Sequence, residues 1–70
     1  MFDTSMDIMK YLVANNATFS NGLPISEKTI DDTFNSFKYG INSIEFDITV
    51  NGEKHILKAY PCGYLEFDEN

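Results

Sequence analysis

The side chains best suited to chemistry are those of one cysteine, Cys62, and one histidine, His55, in a chain of 70 residues. A histidine can activate a cysteine as a nucleophile when their reactive atoms approach to roughly 3 Å. Cys62 cannot form an intramolecular disulfide, because the sequence contains no second cysteine. It lies in YPCGY (60–64), so the structure of this segment decides whether Cys62 is a reactive thiol or only part of a turn.

Two turn motifs predict how this region folds. Residues 43–50, SIEFDITV, alternate apolar and polar side chains, as expected for a strand with one buried face. Asn51-Gly52 is the preferred pair for a type I′ hairpin turn. Pro61 suits the second position of a type I turn, and Gly63 suits the left-handed position that closes a three-residue hairpin loop. The sequence therefore predicts a three-stranded antiparallel meander.

The two turns, taken independently, predict registers that agree with each other. Both place the apolar residues on one face of the sheet and a charged ladder, Glu45–Lys58–Glu66, on the other. The same registers place His55 and Cys62 at opposite ends of the central strand, separated by roughly 20 Å at about 3.3 Å per residue. The predicted sheet therefore excludes a Cys–His pair, and we interpret YPCGY as a turn.

Two helices are predicted before the sheet, over residues 4–14 and 27–39. The first carries an apolar stripe, formed by Phe2, Met6, Met9 and Val13 and widened by Ile8 and Leu12. Tyr11 is expected to point away from the core, and Gly40 is expected to end the second helix. The predicted fold is α+β: two helices packed on one face of a three-stranded antiparallel β-meander (ααβββ), in a single small domain of residues 1–70.

No other residue pattern indicates catalysis or a bound cofactor. The sequence contains no phosphate-binding glycine loop and no zinc-ligand spacing. Asp31 and Asp32 could bind a hard cation weakly, but neighbouring helix residues diverge by about 100°, so solvated carboxylates are the simpler interpretation. Glu45 and Glu66 are explained as partners of Lys58. We therefore expect a protein that is not an enzyme and that holds no cofactor or metal.

The composition is acidic and restricts the partners that the protein can bind. Eleven Asp and Glu stand against five Lys and no Arg, which makes the formal net charge −6. Direct nucleic-acid binding is not expected, because it depends on Lys and Arg that neutralise phosphates. A basic partner protein is favoured, although acidity also serves solubility. With no bilayer-spanning apolar run and no signal peptide, we expect a cytoplasmic protein without membrane contact.

Two acidic and aromatic surfaces are the candidate partner-binding sites. The first is the outer face of the sheet with the residues that follow it: Glu45, Asp47, Tyr60, Tyr64, Glu66, Asp68 and Glu69. The alternative lies on the second helix: Glu27, Asp31, Asp32 and Tyr39. Tyrosine favours both surfaces as binding sites, because it buries a large rigid ring and keeps a polar group.

These features lead to two functional hypotheses. The first is a non-enzymatic inhibitor that docks on a basic, nucleic-acid-handling protein. Phage anti-CRISPR proteins and nuclease-immunity proteins are similar to this chain in size and acidic charge. The abundant Asn, Ile, Phe, Tyr and Lys fit the AT-rich coding of a mobile element. The similarity is one of kind and rests on no shared motif. The second is a self-associating domain, a homodimer formed through strand 43–50, through strand 64–68, or through the face of Ile56, Tyr60 and Tyr64.

Overall fold

The computed structural model describes residues 2–37 and 40–68. Within them the chain forms two helices and four strands, in the order α1 (Ser5–Ala14), β1 (Thr18–Phe19), α2 (Glu27–Asn35), β2 (Ile44–Val50), β3 (Glu53–Ala59) and β4 (Leu65–Phe67). The strands form one antiparallel sheet in the order β1-β2-β3-β4. The α+β class is confirmed, but the sheet has four strands in these ranges where the sequence predicted three.

The β2–β3 hairpin has the predicted turn and register. Asn51 and Gly52 both have positive φ, 52° and 82°, as a type I′ turn requires. Because this turn has two residues, Ile48 lies opposite His55. The apolar side chains of β2 and β3 therefore point to one face, where Leu57 is fully buried, with the exception of Ile56, which points to the other face.

The strand β1 was not predicted, because the sequence indicated strands only from residue 43 onward. Thr18 pairs with Thr49, and Phe19 pairs with Ile48, along the free edge of β2. The buried Phe19 ring lies 5.2 Å from the Phe46 ring, measured between centroids. Two residues are too few to show a period of two, so the pairing depends on the hairpin edge that only the folded chain presents.

Helix α1 begins where it was predicted to begin, but it buries a different face. The Thr4 side chain accepts a hydrogen bond from the backbone N–H of Asp7 at 3.2 Å, which caps the helix. Ile8 and Leu12 are buried, whereas much of the predicted stripe is exposed. The sheet contacts the side of the stripe on which Ile8 and Leu12 lie, and Tyr11 lies on that side too.

Tyr11 corrects the prediction that it points away from the core. Its ring lies 5.2 Å from the Phe2 ring and 5.9 Å from the Phe67 ring, measured between centroids. Aromatic pairs at such distances are favourable when the rings are tilted. Tyr11 thus belongs to an aromatic cluster at the margin of the core.

Helix α2 ends earlier than predicted, at Asn35 instead of residue 39. The Ser36 hydroxyl donates to the Thr33 carbonyl at 2.6 Å and helps to end the helix. Because α2 has already ended at Asn35, Gly40 does not end the helix, so that prediction is wrong. Ile30 is the residue of α2 that is buried in the core.

No helix in the described ranges is long and apolar enough to cross a membrane.

The edge strand β4 is partly covered by α1. The Ser5 hydroxyl accepts a hydrogen bond from the backbone N–H of Leu65 at 2.8 Å. Lys58 and Glu66 form the hydrogen-bonded pair of the ladder, so the N–H of Leu65 points to the outer edge. One of the polar backbone groups that could pair with another strand is therefore already satisfied.

Candidate functional site

The YPCGY segment is a hairpin loop, as predicted. The Tyr60 N–H donates to the Tyr64 carbonyl at 2.9 Å, and the Gly63 N–H donates to the Tyr60 carbonyl at 3.0 Å. Gly63 has φ of 96°, which is a conformation that glycine adopts readily. The rings of Tyr60 and Tyr64 form a cross-strand pair beside the loop, with centroids 5.5 Å apart. Cys62 is exposed at the tip of this loop.

His55 is held at the other end of β3, so the structure contains no Cys–His pair. Its side chain is only 9% exposed, and its Nδ1 donates to the Asp68 carbonyl at 2.9 Å. The ring also lies against Phe67, with centroids 5.1 Å apart. Within residues 2–37 and 40–68, no group of three His, Cys, Asp or Glu side chains could hold a metal ion. These contacts give His55 a structural role.

The outer face of the sheet carries the predicted charged row, Glu45–Lys58–Glu66, in direct cross-strand pairing. The Tyr60 hydroxyl donates to Glu66 Oε1 at 2.9 Å, and Lys58 Nζ lies 5.4 Å from the centre of the Tyr60 ring. The neighbouring Tyr60 hydroxyl raises the pKa of Lys58, and the charges of Glu66 and Glu45 raise it further. Lys58 therefore neutralises part of the charge in its own row.

Replacing Tyr60 by Phe is expected to lower the pKa of Lys58 towards its ordinary value. The substitution removes the hydroxyl, which is the largest cause of the raised pKa, and leaves the ring in place. An NMR titration of the lysine side-chain signals would measure the change. Lys28 is the matched control, because Asp32 raises its pKa at a separate site. An unchanged Lys58 pKa, or an equal fall at Lys28, would contradict the role of the Tyr60 hydroxyl.

A second row of the outer face consists of Asp47, Ile56 and Asp68. Asp47 pairs with Ile56, and the Asp68 N–H donates to the Ile56 carbonyl at 3.1 Å, so the pairing extends one residue beyond β4. Adjacent strands lie about 4.8 Å apart, so the two aspartates flank Ile56 at roughly equal distances. Ile56 is 38% exposed and Tyr64 is 54% exposed. This face thus combines acidic and apolar groups.

The structure places six of the seven residues predicted for the outer face on that face or at its margin. The exception is Glu69, which lies outside the described residues. The sheet register that was derived from the two turns is sufficient to place these side chains together. Their assembly as one surface could therefore be predicted from sequence, whereas their use in binding stays a prediction.

The alternative surface on α2 is divided. Asp32 accepts a hydrogen bond from Lys28 Nζ at 2.7 Å and so has a positive neighbour on its own helix. Glu27 and Asp31 instead line a groove beside α1. Tyr39 lies outside the described residues. The divergence of Asp31 and Asp32 agrees with the angle between neighbouring helix positions.

The groove beside α1 was not predicted from the sequence. Its lining includes residues of α1, the start of α2 and the loop with Cys62, which no motif in the sequence connects. The one available signal was the width of the apolar stripe on α1, because six apolar residues are more than one narrow contact face needs.

No protein-family model, curated protein or solved structure shows a significant match to this chain.

Proposed function

We propose that this chain is a small acidic, non-enzymatic binding protein that inhibits a basic, nucleic-acid-handling protein by docking the outer face of its sheet. The observation that carries the proposal is the arrangement of the two rows on that face. One row has Asp47 and Asp68 on either side of the exposed Ile56. The other has Glu45 and Glu66 as its outer members.

The two kinds of group on this face support different parts of binding. The carboxylates, together with a net charge of −6, attract a basic surface over long range and increase the rate of encounter. Ile56 and Tyr64 offer apolar area that a partner can bury after contact. Charge reversal is therefore expected to act mainly on association, and truncation of Tyr64 mainly on dissociation.

The charge supports the proposed class of partner. A surface built to bind phosphates presents Lys and Arg, and carboxylates held at fixed spacing on a sheet can occupy it. Occupation of that surface would exclude the nucleic acid, and this is why we propose inhibition. Anti-CRISPR proteins and nuclease-immunity proteins are inhibitors of this kind, and such a partner would be met in the cytoplasm. The chain itself is not expected to bind nucleic acid or membranes.

The test compares two charge-reversed baits with the wild type in a pull-down from the native host, read by quantitative mass spectrometry. Asp47→Lys/Asp68→Lys is expected to reduce recovery of the basic partner at least tenfold, and higher salt should reduce recovery by the wild type. Asp31→Lys/Asp32→Lys is the matched control, since it makes the same change of charge on α2. Both baits are first checked for unchanged melting.

Each result of this comparison has a definite meaning. If only the α2 pair abolishes recovery, the outer face is not the docking surface. If neither pair matters and recovery is independent of salt, acidic docking itself is refuted. A purified partner that keeps its full activity with the protein bound would refute inhibition while leaving binding intact.

Self-association is less well supported by the described residues. Pairing of β1 with Thr49 and Ile48 covers part of the β2 edge, and Ser5 satisfies the backbone N–H of Leu65 at the β4 edge. Packing two outer faces together would also bring like charges together, because both copies carry the same acidic rows. Sedimentation of the pure protein as a tight dimer without a partner would favour this alternative.

A further inference from the structure

Helix α1 carries a second apolar stripe that the core does not use. Met6, Met9 and Val13 are spaced at i, i+3 and i+7, so they lie along one side of the helix. Met6 is 66% exposed and Val13 is 56% exposed, whereas Leu12, on the core side, is fully buried. Isolated exposed apolar residues are common, but an aligned set on one helix is typical of a contact surface.

This stripe forms one wall of a groove. Two adjoining depressions, of about 440 and 390 Å³, share Met6, Met9 and Glu27 as lining residues. The opposite wall is formed by the start of α2, with Ile30 and Asp31, and by the loop of residues 60–63. We refer to this feature as the α1–α2 groove.

We propose that the α1–α2 groove binds a cationic amphipathic helix of a partner protein. No member of the charged rows lines this groove, although the loop of residues 60–63 borders both surfaces. The proposal therefore goes beyond the function proposed above and holds or fails without it. The occupant places its apolar side on Met6, Met9 and Val13. Its basic side chains approach Glu27 and Asp31.

The shape of the groove favours a helix. The stripe runs along most of α1, which has ten residues and is therefore about 15 Å long. A second helix packs against such a stripe with its axis 8–10 Å away in typical helix pairs. Met6 and Met9 add flexible side chains that adapt to different apolar partners. Recognition of an amphipathic helix in an apolar groove is a recurrent binding mode.

The charges of the groove favour a cationic occupant. Glu27 lines both depressions and Asp31 lines one. Among the described residues, Lys10 is the one lysine that lines either depression. A second copy of this chain is a poor occupant, because it would bring Glu27 towards a like charge and carries the same net charge of −6. Charge complementarity therefore selects a basic helix over self-association.

The test uses a fluorescent 18-residue peptide made only of Leu and Lys in amphipathic helical order, titrated with the intact protein and followed by anisotropy. A peptide of the same composition in scrambled order is the control for charge alone. The wild type is expected to bind the ordered peptide at least tenfold more tightly than the scrambled one. Equal affinity for the two peptides would overturn the proposal.

Variants then locate the peptide. Met6→Gln/Val13→Gln removes apolar surface without adding charge, and it should weaken binding at least fivefold. Leu23→Gln is the matched control, because Leu23 is also 53% exposed but lies outside the groove. It should leave affinity unchanged. An equal loss in the control would show that the peptide binds without using the groove, and would overturn the proposal.

Neutralising carboxylates on each surface distinguishes binding of the peptide in the groove from binding on the outer face of the sheet. Glu27→Gln/Asp31→Asn should weaken binding three- to tenfold and reduce its dependence on salt, and it should weaken binding more than Glu45→Gln/Asp47→Asn does. The reverse pattern would assign the peptide to the outer face and reject the groove. Sedimentation would show whether a second copy of this chain occupies the groove. A wild-type dimer that Met6→Gln/Val13→Gln dissociates would identify the occupant as that second copy, and would overturn the proposal of a cationic partner helix.

Discussion

Replacing Leu57 by Ala is expected to lower the free energy of unfolding by about 2–5 kcal/mol. Leu57 is fully buried in β3, with strands paired on both sides of it. The substitution removes apolar contacts and leaves a cavity that the surrounding sheet cannot fill completely. A chain of this size is stable by roughly 4–10 kcal/mol, so a large part of its stability would be lost.

The loss should appear as a fall in melting temperature of roughly 10–30 °C, measured by circular dichroism. Ile56→Ala is the matched control on the same strand, since Ile56 points to the outer face and is 38% exposed. It should cost no more than about 0.5 kcal/mol, because surface substitutions away from special features have small effects. Equal losses in the two variants would contradict the assignment of faces.

Replacing Gly63 by Val is expected to destabilise the protein by about 1–3 kcal/mol. Gly63 has φ of 96°, which a β-branched residue adopts only with strain. An added Cβ would meet no heavy atom within 4 Å, so the effect comes from the backbone conformation and not from a steric clash with a neighbour. Urea denaturation would measure the free energy directly.

Two further variants show that the loop conformation is responsible. Cys62→Ser should leave stability unchanged, because Cys62 is exposed at the tip of the loop. Gly63→Asn should lose less than Gly63→Val, because Asn tolerates positive φ better than β-branched residues do. If Cys62→Ser instead abolished both binding and stability while Gly63→Val had no effect, Cys62 would be a functional residue and the turn interpretation would be wrong.

The same loop connects stability with both proposed surfaces. Tyr60 and Tyr64 flank it on the outer face, and Pro61 and Cys62 line the α1–α2 groove. Gly63→Val is therefore expected to weaken binding at either surface through a displaced loop. Binding studies should use the exposed side-chain variants instead, because their effects do not pass through the backbone.

The pairing of β2, β3 and β4, and with it the residues of the outer face, could be predicted from sequence. Two short turns, Asn51-Gly52 and the loop closed by Gly63, set the pairing of three strands because the number of loop residues determines the register. Once the register is known, the alternation of side chains decides which residues share a face. This is why Glu45, Lys58 and Glu66 are aligned as expected.

The helices were predicted less accurately, because their patterns permit more than one arrangement. A helix with a wide apolar stripe can pack either side of that stripe against a sheet. In α1 the side with Met6 and Val13 stays exposed to solvent. Tyr11 faces inward because the rings of Phe2 and Phe67 are there to receive it. Helix propensity along α2 was too weak to define where it ends.

The α+β class, the two hairpin turns and the charged ladder Glu45–Lys58–Glu66 could be predicted from the sequence alone, because all of these depend on local conformation and on a period of two. Two features depend instead on how the elements pack: Thr18 and Phe19 pair with the edge of β2, and the α1–α2 groove brings Met6, Glu27 and Cys62 together. These features join residues that are distant in the chain. Their energies depend on surfaces that exist only after the elements have packed, so no local pattern could reveal them.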